Sequence, residues 1–138
     1  MAFYAFNPLA GGILTSWYHR DTEDSNIKSM SRFDPNTARG RKYRGRFWND
    51  TMFDALDIVR EAARQYHLTE AECALRWMVH HSKLEANGGN AVIIGASNVE
   101  HLRENLEDFE KGPLPEEMVE CLDKAWAKTN GVVRNYFH

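Results

Sequence analysis

The stretch Ala91 to Asn105, AVIIGASNVEHLREN, constrains the fold more than any other part of the chain. Ala91-Val92-Ile93-Ile94 reads as a short buried strand, Gly95-Ala96 as a turn, and the remainder as a helix. Ser97 with Glu100 three residues on fits a capping box. Val99, Leu102, Leu106 and Phe109 recur at the spacing of one buried helix face. A strand that ends in Gly-small-Ser and opens a helix makes an anion pocket. The first backbone N–H groups of a helix have no intrahelical partner, and its dipole favours negative charge there. Ser97 and Asn98 add side-chain donors; His101 and Arg103 add positive charge, and Glu100 and Glu104 oppose it. Many strand-to-helix turns share this pattern and bind nothing, so a phosphate site and a plain connection both stay open.

Upstream, Phe3-Tyr4-Ala5-Phe6 reads as a strand buried on both faces. Asn7-Pro8-Leu9-Ala10-Gly11-Gly12 stops it, since Pro8 cannot continue a ladder and two glycines permit a tight turn. Ile13 to Tyr18 suits one helical turn. Residues 19–47 read as polar and irregular, with Arg32, Arg39, Arg41, Lys42, Arg44 and Arg46. A loop this long is a solvated surface or a flap gripping an anionic ligand, with Tyr43 and Phe47 as its apolar part.

Thr51 to Tyr66 is an amphipathic helix with Met52, Phe53, Leu56, Val59, Ala63 and Tyr66 on one side, capped by Asn49 or Asp50. Thr69 and Glu72 form a second capping box for a helix burying Leu75, Met78 and Trp77. His80 and His81 are adjacent, so they point about 100° apart and do not readily share a metal ion; structural roles are expected and no metal. Pro115 starts a last helix, Glu116 to Lys128, with Met118, Cys121, Leu122, Ala125 and Trp126 inward. The tail ends Asn135-Tyr136-Phe137-His138. Two strands separated by helices imply parallel pairing and an α/β class.

At 138 residues, one domain over 1–138 is expected. A net charge of −3 argues against nucleic acid as the main partner. No apolar run approaches the ~20 residues that span a bilayer. The start, MAFYAFNPLAGG, lacks signal-peptide features, so a cytoplasmic location is expected. Cys73 and Cys121 read as reduced thiols in helical patterns.

Five segments appear in order: Phe6 to Thr15 (FNPLAGGILT), Arg44 to Trp48 (RGRFW), Ala74 to Met78 (ALRWM) with His80-His81-Ser82, Ile93-Ile94-Gly95, and Asn135-Tyr136-Phe137. As an ordered set they resemble the C-terminal part of the aldo-keto reductases, in the aflatoxin-aldehyde-reductase branch. The resemblance covers nearly the whole chain. It implies a (β/α)8 barrel using NADPH to reduce aldehydes and ketones, with this chain supplying strands seven and eight and their helices. In such barrels a phosphate site commonly lies in the loops after those strands. Residue by residue, it places Phe6 where an aromatic stacks on the nicotinamide, and Asn7 to Thr15, including Leu9 and Gly11, along the pyrophosphate. It makes Arg32 a cofactor contact. Gly95, Ala96, Ser97, Asn98, His101, Leu102 and Asn105 then hold the adenosine 2′-phosphate and adenine. Tyr43 and Arg46 match substrate-loop positions, and His138 stands where the branch often ends in arginine.

The family's Asp-Tyr-Lys-His tetrad comes from the first half of the barrel, and nothing here matches it. A barrel usually takes ~250 residues. The chain is therefore expected to be a partial barrel, completed by oligomerisation or a complementary chain, because two strands with apolar faces and open edges invite partners. Three functions follow: a truncated reductase keeping the NADP(H)-binding end, with a small carbonyl substrate; a repurposed cyclase or isomerase drawing acid–base groups from Tyr4, Tyr18, His19, Tyr43 and His138; or a non-catalytic NADPH-sensing subunit.

Overall fold

Side-chain caps fix where four of the five helices begin. Thr37 Oγ1 accepts the Gly40 N–H (2.9 Å), Asn49 Oδ1 that of Met52 (3.0 Å), Thr69 Oγ1 that of Glu72 (3.0 Å) and Asn98 Oδ1 that of His101 (2.8 Å). In the computed structural model, which describes residues 1–133, the order is β1 (Tyr4–Phe6), α1 (Ala38–Phe47), α2 (Asp50–Gln65), α3 (Glu70–His80), β2 (Ala91–Ile93), α4 (Val99–Glu110) and α5 (Glu116–Thr129). Short 3-10 turns at Ala10–Gly12, Asp24–Asn26 and Ala86–Gly88 punctuate the connections. The expected α/β class and parallel pairing hold, with Tyr4 opposite Ala91, Ala5 opposite Val92 and Phe6 opposite Ile93. The tail residues Asn135, Tyr136, Phe137 and His138 lie outside the described residues.

Two expected caps are corrected. Asn98, not Ser97, caps α4, because its extended backbone and short amide reach the third helical N–H, while Ser97 Oγ bonds His101 Nδ1 at 2.8 Å. Thr69 caps α3 as expected, but the Glu72 carboxylate turns to Arg76 (2.7 Å) and Lys111 (3.1 Å). Residues 19–47 are not irregular throughout, since the last ten form α1. Three of its basic residues find acceptors within the chain. Both terminal nitrogens of Arg44 donate to Asp24 Oδ1 (2.6 and 2.7 Å), and its guanidinium lies 4.5 Å from the Trp48 ring centroid. Arg39 and Arg41 donate to the carbonyls of Met30 and Pro35.

The core lies between helices rather than around the sheet. Ala55, Val59, Ala62 and Ala63 of α2, Cys73 of α3, and Leu114, Met118 and Ala125 form one buried cluster. Ile13, Ile27, Phe33, Phe53 and Leu56 form another, lined by Tyr18, Tyr43, Phe47 and Trp48. The strands are therefore not buried on both faces: Tyr4, Phe6 and Ile93 are 59%, 51% and 54% exposed, and only Ala5 is buried. The apolar stripe of α4 is exposed too, at 73% for Val99, 39% for Leu102 and 49% for Leu106. That helix instead buries Asn105 and Asp108, because its polar side meets α3 through Lys111, which bridges Asp108 (2.8 Å) and Glu72 (3.1 Å). Trp126 is exposed rather than inward; α5 buries Met118, Ala125 and Thr129.

The histidine pair serves the α4–α5 connection. The His80 ring nitrogen Nε2 donates to the Lys111 carbonyl (2.7 Å), and His81 Nε2 accepts the Leu114 N–H (3.0 Å). Burial lowers the His81 pKa, which keeps the ring neutral and able to accept. Arg76 adds bonds to the carbonyls of Gly112 and Pro113, both 2.7 Å.

Two tests follow from the packing. A Cβ at Gly40 would sit 1.7 Å from the Asp34 carbonyl oxygen. The Asp34 carboxylate is itself locked by the N–H groups of Met30 (2.8 Å) and Asn36 (2.9 Å), so this segment cannot retreat. Gly40→Ala is expected to destabilise the chain by about 3 kcal/mol, the upper end for overpacking, read as a lowered urea midpoint. Burial pushes the Cys73 thiol up to about 12. The folded chain at pH 8 should therefore show one thiol reacting with a disulfide reagent, Cys121, and Cys73 only after denaturation.

Candidate functional site

Parallel pairing sends both strands' following loops out at the same end of the sheet. In open α/β sheets, ligands sit beyond the carboxyl ends of strands. The loop after β1 is held in an unusual shape. Asn7 (φ +61°), Ala10 (+49°), Gly11 (+77°) and Gly12 (+105°) all take positive φ. Asn7 supports this turn itself: its Oδ1 accepts the Gly11 N–H (2.7 Å) and its carbonyl the Ala10 N–H (2.9 Å). Leu9 adds its carbonyl to the Gly12 N–H at 2.8 Å.

Gly11 is needed for space as well as for φ, since a Cβ there would come 2.6 Å from the Tyr43 ring. Tyr43 OH accepts from Arg32 Nη1 (2.7 Å), and the Arg32 guanidinium lies 5.3 Å from the Tyr43 ring centroid. The fold thus gathers Gly11, Arg32 and Tyr43, which stand far apart in sequence. Arg32 has no carboxylate partner among the described residues, so its charge remains available to an anion.

On the β2 side, Gly95, Ala96, Ser97 and Asn98 are exposed, and a Cβ at Gly95 would meet nothing within 4 Å. Room for a ligand therefore exists beside the first turn of α4. Asn98 satisfies the His101 N–H, leaving the earlier N–H groups of that turn to solvent or an anion. The opposing charge of Glu100 is partly answered by Arg103 at 3.1 Å. Trp17 lies edge-on to His101, ring centroids 6.5 Å apart, and so joins the β1 loop to the start of α4.

The remaining positions fall as follows. Phe6 is half exposed on the sheet face that also carries Tyr4. Asn105 is buried, unlike its neighbours in the expected set. The Arg46 guanidinium lies 5.2 Å from the Phe47 ring centroid, and its Nε is buried with no hydrogen-bond partner among the described residues. Tyr18 packs edge-on against Phe33 and Trp48 in the core, and His19 Nε2 meets the Ser16 carbonyl at 3.1 Å. Tyr18 and Tyr43 thus share Phe33 as a packing partner, and no hydrogen bond joins Tyr4, Tyr18, His19 and Tyr43 to one another among the described residues. No group of three or more His, Cys, Asp or Glu among the described residues is placed to hold a metal ion. No helix there is long and apolar enough to cross a membrane.

Two contributors escape sequence reading. Arg60 of α2 donates to the carbonyls of Thr15 (3.2 Å) and Tyr18 (2.6 Å) and is held by Glu70 at 2.9 Å, pinning the loop that carries Trp17. Trp17 is the other. Neither spacing nor periodicity marks them, because both act across 40 residues or more.

The chain's relatives show its family. The family model described as Aldo/keto reductase family matches residues 1–127. Aldo-keto reductase pigE of Monascus ruber is 50% identical over 131 residues, covering 95% of this chain and 38% of the relative. An aldo-keto reductase of Pseudocercospora fijiensis is 46% identical, over 99% of this chain and 45% of the relative. Aflatoxin B1 aldehyde reductase member 2 of Mus musculus is 41% identical, over 99% of this chain and 38% of the relative. The chain thus spans between 38% and 45% of the length of these curated relatives, in their C-terminal part. The chain belongs to the aldo/keto reductase family.

Proposed function

We propose that this chain is the cofactor-gripping portion of an NADP(H)-dependent aldehyde or ketone reductase and lacks the Asp-Tyr-Lys-His tetrad of its family. The observation that supports this most directly is the convergence of two loops at one sheet end. The Asn7–Gly12 turn and the Gly95–His101 turn leave paired strands side by side, with Trp17 against His101 between them. In this reading Ser97, Asn98, His101 and the first-turn N–H groups of α4 hold the 2′-phosphate. Gly95 and Ala96 leave room for the adenosine, with Leu102 and Asn105 further along the helix. Arg32 balances the pyrophosphate beside Asn7, Leu9 and Gly11, and Phe6 offers a ring face to the nicotinamide. Tyr43 and Arg46 border a small carbonyl substrate.

When bound, NADPH supplies a hydride; the residues of this chain bind and orient it. In this reading proton delivery to the carbonyl oxygen belongs to the family's tetrad, which no segment of this sequence matches. Among the described residues Tyr4, Tyr18, His19 and Tyr43 make no hydrogen bond to one another, so no observation favours a cyclase or isomerase over the cofactor reading. A sensing subunit would use the same cofactor contacts without turnover.

Titration of the purified chain with NADPH, followed by cofactor fluorescence, tests the reading. Saturable binding is expected, with NADPH favoured over NADH. Ser97→Ala should weaken NADPH about tenfold, the equivalent of one charge-assisted hydrogen bond of roughly 1.5 kcal/mol, and leave NADH unchanged. The chain alone should not consume NADPH in the presence of an aldehyde. No binding at millimolar NADPH, or equal loss for both nucleotides in the variant, overturns the assignment.

A further inference from the structure

The connection from α4 to α5 is gripped residue by residue from α3. His80 Nε2 donates to the Lys111 carbonyl, Arg76 donates to the carbonyls of Gly112 and Pro113, and His81 Nε2 accepts the Leu114 N–H at 3.0 Å. In the first three bonds α3 is the donor; in the fourth it is the acceptor. An arginine keeps its protons, and a histidine donating through Nε2 does so whether neutral or charged. An imidazole accepting through Nε2 must be neutral, with its proton on Nδ1. Protonation of His81 sets a second N–H against that of Leu114 and turns the bond into a repulsion. One link of the four is therefore sensitive to a proton.

That link lies where the fold has little else to hold it. Among the described residues α5 is the one α-helix that starts without a side-chain cap, with Pro115 at that position. Leu114, just before it, is buried in the cluster that also holds Met118 and Ala125 of α5 and Val59 of α2. Its N–H, once unpaired, reaches water only if the connection moves. The His81 ring, by contrast, is open to solvent protons, because it lines an open cavity of about 550 Å³ with Phe3, Trp77, Ser82 and Lys83. Its charged neighbours are His80 and Arg76 on α3, with Lys83 just beyond that helix. From β1 the cavity is lined by Phe3 and Ala5, which do not titrate. In the connection, the Lys111 ammonium bonds Glu72 and Asp108, so those carboxylates serve Lys111 rather than the ring. Burial first, then His80 and Arg76, lower the His81 pKa.

We infer that His81 is a proton-operated fastening between α3 and the start of α5: neutral, it holds Leu114, and protonated, it lets the connection open locally while the α2–α5 seam stays packed. This does not depend on the cofactor reading. Because the folded pKa lies below the ordinary histidine value, the stabilising contribution is complete above that value and is lost as the pH falls below it.

Amide hydrogen exchange of the full chain at about pH 7.5 and about pH 5, corrected for the intrinsic pH dependence of exchange, tests the fastening. Protection of the Leu114 amide should fall about tenfold on acidification, the loss of one hydrogen bond, while that of Val59 in α2 stays unchanged. His81→Gln keeps a side-chain acceptor that does not titrate, so its Leu114 protection should be the same at both pH values. His80→Gln removes a donor beside it and should keep the pH profile of the parent. Equal Leu114 protection in the parent at both pH values overturns the inference. So does a His81→Gln variant that loses protection in acid as the parent does, or a parallel loss at Val59, which marks unfolding of the whole chain. Should His81→Gln fail to fold, nitrogen NMR of the parent gives a second reading. The His81 ring and the Leu114 amide are expected to titrate with one midpoint, and two separate midpoints overturn the assignment.

Discussion

Helices α2 and α5 meet through small side chains: Ala55, Ala62 and Ala63 on one, Ala125 on the other, with Val59 and Met118 filling the seam. Alanine lets the two backbones approach, and each larger buried side chain contributes roughly 1.5–3 kcal/mol. Charge adds little here: Lys128 reaches Asp54 at 3.7 Å across the helices, and both side chains are nearly half exposed. Cys73 and Leu114 bring α3 and the α4–α5 connection onto the same seam, so a sheet of six residues is carried by helices rather than the reverse.

The loop after β1 is fastened to this base by arginines. Arg60 holds two of its carbonyls from a position where both it and Glu70 are largely buried. Arg20, from the same loop, reaches Asp50, Asp54 and Asp57 along one side of α2. Hydrogen bonding from Arg20 holds the Asp54 carboxyl below its ordinary pKa, against the opposing effect of desolvation. The exposed Arg20 pairs are weak individually, whereas Arg60 is shielded and makes three hydrogen bonds through Nε and Nη2. This unequal fastening keeps Asn7–Gly12 and Trp17 in place while leaving Arg32 without a carboxylate partner among the described residues.

Much of this was legible beforehand. The Asn49 and Thr69 caps, the apolar face of α2 and the parallel pairing all follow from local chemistry or periodicity, and the structure has them. The bland reading of His80 and His81 also holds, for a reason the sequence does not contain: both rings serve one connection. The errors share a cause. Val99, Leu102 and Leu106 make a correct helix pattern, yet the pattern says only that the face is apolar, not that anything covers it. The same is true of the Tyr4 and Ile93 side of the sheet and of Trp126. Residues 38–47 were misread because a dense run of basic side chains looks solvated, while in the fold Arg39, Arg41 and Arg44 each find an acceptor.

The sequence by itself determined the family, the starts of α2, α3 and α5, the strand pair and the glycine turn after β1, because each of these is written in residues a few positions apart or in an ordered set of segments. Tertiary structure alone decided which polar side chains stand where a ligand could meet them. Gly11, Arg32 and Tyr43 converge, Trp17 closes on His101, and Asn105 goes inside, through contacts between residues distant in the chain. It also decided which apolar faces stay uncovered, since burial depends on a neighbour's surface and no single helix or strand encodes the presence of its partner.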